Sequence, residues 1–432
     1  MDKERTQTTP TVVPAAKSKP SAKGLRPSGT LSQVPRTLLM PALAVLTGLV
    51  IGAIVIAVTD AAVVAAYRNF LRAPGAALTA TWRAVATAYG ALLHGSLGSP
   101  KEMVQAIQSY LSTGDNTSMV RAFYPLTESL VAATPYIFGG LAVALGFHCN
   151  LFNIGAEGQI GIGALAAAWI GYTLIGVPRI IHLPLAILAG ALGGAFWASI
   201  PGYLKARTGA HEVVNTIMMN WISFRLSDWL LNGPMKAQGY RPVTPNIEPS
   251  AALPRLFPAP IRFHAGFFLA LAVAALVYWF LFKTTLGFEI RTVGANPRAA
   301  RYAGISITRN FILAMVLSGA LAGLAGTSQV LGVDHWVGQG FSAGYGFDSI
   351  AIALLGKSHP GGVVLAALLF GALRSGATRM QSLAGIPIDI ISIIQALVIV
   401  FVAAPEIIRG LYRIREKRSQ ELALASAGGD GE

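Results

Sequence analysis

Residues 150–161, NLFNIGAEGQIG, set Asn153, Glu157 and Gln159 among Gly155, Gly158 and Gly161, between the apolar runs 126–147 and 158–177. An unpaired carboxylate at membrane depth is expensive. Irregular backbone survives there only when it is buried in protein or faces a water-filled cavity, and broken helices are where transporters place their pathways. Two readings of Glu157 stand side by side. In one, Asn153 caps the following helix and Glu157 sits in its first turn, near the positive end of the dipole. In the other, Glu157 lines a route for a polar solute.

The flanking sequence sets the solvent. Of 432 residues, 53% are hydrophobic and 12% are charged, against about a quarter charged in a soluble domain, so most of this chain faces lipid. The single cysteine, Cys149, excludes a disulfide framework and a four-thiolate metal centre. Lys and Arg exceed Asp and Glu by 33 to 19, which in a soluble protein would suggest nucleic acid. Here the excess is local. Lys3, Arg5, Lys17, Lys19, Lys23, Arg26 and Arg36 lie in a Pro- and Ser-rich arm, residues 1–37, that reads as disordered. The run 38–58 is longer than a signal-peptide core and reads as a retained span.

One crossing takes about 20 apolar helical residues. Clear spans are 38–58, 126–147, 158–177, 181–204, 213–231, 265–282, 311–333 and 388–404. An interrupted stretch, 347–377, is broken by GKSHPGG at 356–362 and reads as two short helices meeting at a turn. Basic loops mark the cytoplasmic side: the N-terminal arm, the Lys205–Arg207 turn, the 283–309 loop and the tail 405–432. Threading from an inside N-terminus brings the tail inside only if the broken stretch enters and leaves by one face. The expected fold is therefore all-α: a polytopic membrane domain over 38–404, with about ten helical segments, some broken or re-entrant. Residues 59–125 form a long outside connection, in which 67–71 and 82–93 suggest interfacial helices. Small residues four apart (Gly190 and Gly194; Gly319 and Gly323; Ser318, Ala322 and Gly326) indicate close helix packing.

Three further stretches carry candidate chemistry. Residues 346–356, GFDSIAIALLG, repeat the pattern of an acid, Asp348, ahead of an apolar helix. The overlapping AIALLGKS of 351–358 imitates a phosphate loop, but its middle residues continue a membrane helix and no strand precedes it, so ATP is not expected on this chain. In HEVVNTIMMN, 211–220, Glu212 and Asn215 share a helix face with Asn220 further along; beyond them Arg225 and Asp228 pair with each other. In GFEIRTVGANPRAARYAGIS, 287–306, Gly294 and Pro297 fix a turn. A short amphipathic helix from Pro297 to Tyr302 then presents Arg298 and Arg301, and Gly304 ends it.

Together LFNIGAEGQ, HEVVNTIM, GANPRAARYAGI and GFDSIAIALLGKSHPGG resemble the permease subunits of bacterial ABC importers in the branched-chain amino acid, ribose and nucleoside superfamily, and most of all the nucleoside branch. The resemblance runs over 125–404. It implies a type II importer bundle in the cytoplasmic (inner) membrane with both termini cytoplasmic. It also implies a second, usually non-identical permease, a separate ATPase that binds ATP and magnesium, an extracytoplasmic binding protein or lipoprotein, and no cofactor in this chain. The solute would be a nucleoside, a related ribose-containing compound or a simple sugar. Carried over by position, the ATPase would dock on Gly294, Ala295, Asn296, Pro297, Arg298, Ala300, Arg301 and Gly304. The polar residues expected along the solute path are Asn153, Glu157, Gln159, Asn215 and Asn220. The main rival is a proton-coupled secondary transporter with Glu157 and Asp348 as carriers, weakened by the scarcity of buried ionisable groups. A membrane-embedded enzyme ranks third, because the seven histidines are scattered singly along the chain.

Overall fold

The computed structural model describes residues 34–404 apart from 115 and 388, together with 407 and 411. Residues 1–33 of the basic arm and most of the tail lie outside the described residues. Among those described the protein is helical, and its only extended pairings are the isolated bridges Val243–Gly338 and Arg255–His264. The helices are α1 Val34–Thr59, α2 Ala61–Tyr67, α3 Pro74–Leu97, α4 Pro100–Thr113, α5 Asn116–His148, α6 Ala156–Thr173, α7 Arg179–Thr208 and α8 Glu212–Asn232. They continue with α9 Gly266–Lys283, α10 Thr285–Ala295, α11 Pro297–Tyr302, α12 Ile307–Gln329, α13 Tyr345–Leu355, α14 Pro360–Ala384 and α15 Asp389–Ala403. A π-helical turn, Val330–Asp334, extends α12.

Six of these elements, α1, α5, α7, α9, α12 with its π turn, and α14, are long and apolar enough to cross a membrane. The expected spans at α6, α8 and α15 are present with nearly the expected bounds, but they are shorter or more polar. The broken stretch differs from its expected form in one half only. α13 has 11 residues, whereas α14 has 25 and is long enough for a full span. Its outer half carries a polar stripe, Arg374, Ser375, Thr378, Arg379 and Ser382, that faces a cavity inside the protein.

α5 is the axis of the bundle, with every residue from Ala133 to Gly146 buried. Its far end defines one face. The His148 Nε2–H donates to the Ser358 carbonyl in the α13–α14 turn (3.0 Å), and Gly294 at the end of α10 lies against the His148 carbonyl, leaving no room for a side chain. The end of α5, the α10–α11 knuckle and the α13–α14 turn therefore share a face, and α13 climbs about 16 Å from it at 1.5 Å per residue.

The glycine pairs do what their spacing suggests. Gly190 and Gly194 of α7 pack on Gly319 and Gly323 of α12, and Gly163 of α6 meets Gly323, so three backbones touch without intervening side chains. Opposite the α11 face, the 233–265 connection folds over the π turn. There His264 is enclosed against Gly332, its Nδ1 accepts from the Gly266 amide (3.1 Å), and burial pushes its pKa down to about 4, so it is neutral at physiological pH. The long connection at 59–125 is not a loop: α3 packs along α14, with Leu92 against Gly376 and Gly95 against Arg379.

Alanine at Gly323 would press on the Gly190 carbonyl, whereas alanine at Gly90 in α3 meets nothing within 4 Å. We expect Gly323→Ala to cost about 1–3 kcal/mol. Gly90→Ala should be neutral or stabilising by up to about 1 kcal/mol. Melting of the two detergent-purified variants checks the opposite signs.

Candidate functional site

Helices that begin inside a membrane bundle leave their first amides without partners, and here other helices supply the acceptors. The N-cap of α6, Gly155, has no side chain to offer. Asn220, on α8, does the capping: its Oδ1 accepts from the Gly158 amide (2.8 Å) and its Nδ2 donates to the Ile154 carbonyl (2.9 Å). Ser223, one turn on, donates to the Gly158 carbonyl (3.1 Å). Asn153 is not the cap of α6. It exchanges two hydrogen bonds with Gln159 (2.8 and 3.0 Å) and donates to Ser318 (2.9 Å), which donates onward to the Ala142 carbonyl (2.6 Å).

Glu157 does cap a helix, but one far along the chain. Its Oε1 accepts from the Gly344 amide (2.9 Å) and its Oε2 from the Gly346 amide (2.6 Å), at the start of α13. A buried carboxylate on two amides at a helix N-terminus is a charge-assisted arrangement favoured by the dipole. Gly346 is required here, because a Cβ would strike the Glu157 backbone. Gly344 is left-handed at φ +86, a conformation open to glycine at no steric cost.

Of the five polar residues expected along the path, Asn153, Gln159 and Asn220 lie in packed interior with partners. Asn215 is half-buried with its Nδ2 unpaired. Glu157 borders a cavity of about 390 Å³ that lies between α6, α8 and the 337–344 loop, lined also by Trp221, Ser223, Phe224, Arg225 and Asp228. On the outward side of α8, Arg225 is 77% exposed and pairs with Asp228 (3.4 Å).

A second cavity, of about 380 Å³, lies between α3, α5, α14 and the π turn. Arg374 stands at its deep end, with its guanidinium over the Tyr345 ring (4.6 Å). It donates to the Tyr136 hydroxyl (2.9 Å), which donates to Asp348 (2.8 Å). Sequence reasoning missed Arg374, although the signal was present: Arg374, Ser375, Thr378, Arg379 and Ser382 fall at i, i+1, i+4, i+5 and i+8, one face of a helix.

The α10–α11 knuckle has the form expected for it. Asn296 caps α11 by accepting from the amides of Arg298 and Ala299 (3.0 and 3.1 Å), Pro297 opens the helix, and Gly304 closes it at φ +78. Ala300 is buried underneath. Ala295, Asn296, Pro297, Arg298, Arg301 and Gly304 are exposed, as is Tyr302 at 95%, and Gly294 is half-buried against α5. The phosphate-loop imitation is the last turns of α13 followed by two left-handed residues, Lys357 and Ser358, not a cradle.

Residues 125–403 match the family model described as branched-chain amino acid transport system / permease component. The chain belongs to this family. Among similar proteins are the guanosine ABC transporter permease NupP of Bacillus subtilis, 43% identical over 66% of this chain and 83% of that one, and the glucose ABC transporter permease TsgB13 of Haloferax volcanii, 37% identical over 71% and 84%. The nucleoside ABC transporter permease NupB of Lactococcus lactis is 36% identical over 65% and 79%. No solved structure matches the chain. The permease is a membrane-spanning transport subunit of an ABC importer rather than an enzyme.

Glutamine at 157 keeps one acceptor and turns an NH₂ group toward the second amide. A buried N–H left unpaired costs about 1–3 kcal/mol, so Glu157→Gln should lower the melting temperature of the purified permease and increase protease cleavage in the 338–344 loop. Asn215→Ala should change neither.

Proposed function

We propose that this permease forms half of the channel of an importer for nucleosides, or for a related ribose-containing or simple sugar solute, in the bacterial cytoplasmic membrane. The observation that carries the reading is the α10–α11 knuckle, an exposed, capped helix pair seated on the end of α5. A separate ATPase docks there, which makes the α11 face cytoplasmic and places both termini on that side. A second permease, of different sequence, covers the outward side of α8, so that Arg225, Asp228 and Trp221 face the central channel instead of lipid. A binding protein or lipoprotein delivers solute at the opposite face. The names of the relatives support nucleosides ahead of sugars.

Mechanically, ATP binding closes the partner ATPases, α11 moves with them, and the contacts of Gly294 and Ser358 with His148 carry the displacement into α5 and α13. ATP and magnesium stay on the partner, and this chain supplies the path. The proton-coupled alternative fits less well. Both oxygens of Glu157 accept amide hydrogens, so protonating it would sacrifice one of those bonds.

Reversing Arg298 and Arg301 to Glu, or replacing Asn296 and Pro297 by Ala, should abolish ATP-dependent nucleoside uptake by the assembled importer while the permease still inserts at wild-type levels. Radiolabelled uptake in cells lacking other nucleoside carriers, alongside membrane immunoblots, reads both. Wild-type uptake in these variants sinks the docking role.

A further inference from the structure

We propose that Glu289, on α10, is a positioning residue for coupling: it ties the α10–α11 knuckle to α12, so that a push on α11 moves α12 and the helices packed against it. The assignment rests on the docking reading above and deepens it. Its carrier is one hydrogen bond, from the Asn310 Nδ2–H to Glu289 Oε2 (3.0 Å).

Asn310 is costly where it sits. It is the fourth residue of α12 and fully buried. Its Nδ2 also donates to the Ser306 carbonyl (3.0 Å); both partners can only accept, which fixes the end of the amide that faces them. The Oδ1 is then left buried with no partner among the described residues, a loss that an apolar side chain would avoid. What the nitrogen does explains why an amide is kept, and departures of this kind sit at functional positions. The main-chain carbonyl of Asn310 faces the Cys149 Sγ (3.8 Å), so the end of α5 meets α12 at the same residue.

The bond crosses the turn about which the knuckle would otherwise pivot. The covalent route from α11 to α12 is residues 303–306, which turn at Gly304 with φ +78. Glu289 lies before that turn and Asn310 after it, so their bond closes a triangle of α10, α11 and α12. The other ties of α10 lead elsewhere. The Arg291 Nε–H donates to the Leu281 carbonyl (3.0 Å) and Gly287 lies against the Phe280 carbonyl, both on α9, while Gly294 lies against α5. Among the described residues, Glu289 alone gives α10 a side-chain hydrogen bond to α12.

The position of α12 gives this tie its consequence. α12 meets α7 and α6 at the glycine seam, where backbones touch, so the three helices take up a displacement of α12 together. α6 carries Glu157, which holds the start of α13. A push on α11 thus has two ways into the bundle, one through the end of α5 and one through Glu289 to α12. Spatial continuity alone does not demonstrate such a route; a coupling measurement does.

The test reads solute uptake and ATP hydrolysis side by side in proteoliposomes of the assembled importer, with radiolabelled guanosine and glucose as probes, using whichever the wild type accumulates. Glu289→Ala should lower uptake per ATP hydrolysed by about tenfold, the scale of one hydrogen bond to a charged group, while the ATPase stays bound and active. Glu289→Gln keeps an acceptor for Asn310 and should remain within about twofold of wild type. Asn310→Ala should match Glu289→Ala, and the double variant should lose no more than either alone. Wild-type uptake per ATP in Glu289→Ala overturns the assignment. So does an additive loss in the double variant, or a parallel fall in hydrolysis and ATPase retention that glutamine fails to rescue. The docking reading is judged separately, by whether reversal of Arg298 and Arg301 releases the ATPase. If it does while Glu289→Ala couples normally, the Glu289 assignment falls alone; if it does not, the docking reading falls and takes this one with it.

Discussion

A carboxylate in the interior of a membrane bundle must find donors or lose its charge, and Glu157 finds two amides whose own helix had no acceptor for them. Each side solves the other's problem. The first amides of α13 could not be satisfied by lipid or by the glycines preceding them, and the buried carboxyl oxygens of α6 needed donors. The trade fixes the depth at which α13 starts and hence its length, because its other end is held at the α11 face by the His148–Ser358 bond. A half-length helix inside a membrane domain is stable here because both of its ends are held by side chains from other helices.

The same device recurs one helix away. Asn220 of α8 caps α6, and α6 in turn carries the residue that caps α13. The order of dependence runs from α8 through α6 to α13, and it crosses the wall of the α8 cavity at Glu157 and Ser223. A change in the position of α8 therefore bears directly on the loop between the two cavities. Polar groups in packed interior and those that line the cavity are here separated by one helical turn rather than by a boundary between domains.

Most of the helices were legible because lipid imposes a length. A run of about 20 apolar residues has few alternatives to a helix, and the expected bounds at α7, α9 and α12 are close to those found, whereas α5 starts well before the expected 126, at Asn116. α11 was legible for a different reason: Asn296, Pro297 and Gly304 are local punctuation whose effects do not depend on the rest of the fold. The roles of Asn153 and Glu157 were not readable locally. An acid and an amide near a helix start suggest caps of that helix, but the acceptors come from residues 62 apart (Gly158 and Asn220) and 189 apart (Gly346 and Glu157), and a single sequence carries no sign of which pairs meet. The length of α14 was underestimated, since the stretch 347–377 was read as two short helices and α14 runs on to Ala384. The spacing of Arg374, Ser375, Thr378, Arg379 and Ser382 could have corrected this, since a loop has no reason to keep its polar residues on one helical face.

The contrast between two kinds of contact sets where this bundle can change shape. At the α6–α7–α12 seam the glycine backbones touch, and a displacement of even a methyl group's width either collides or opens a void. Those three helices behave as one body. α13 packs closely too, with Ser349 and Ile352 against Gly139 and Gly140 of α5, but its two ends are held by hydrogen bonds to side chains, from Glu157 and from His148 to Ser358, each worth a net of about 0.5–3 kcal/mol. ATP-driven rearrangements act on differences of that size. The helix whose ends rest on side chains of other helices is thus the one that starts between the two cavities.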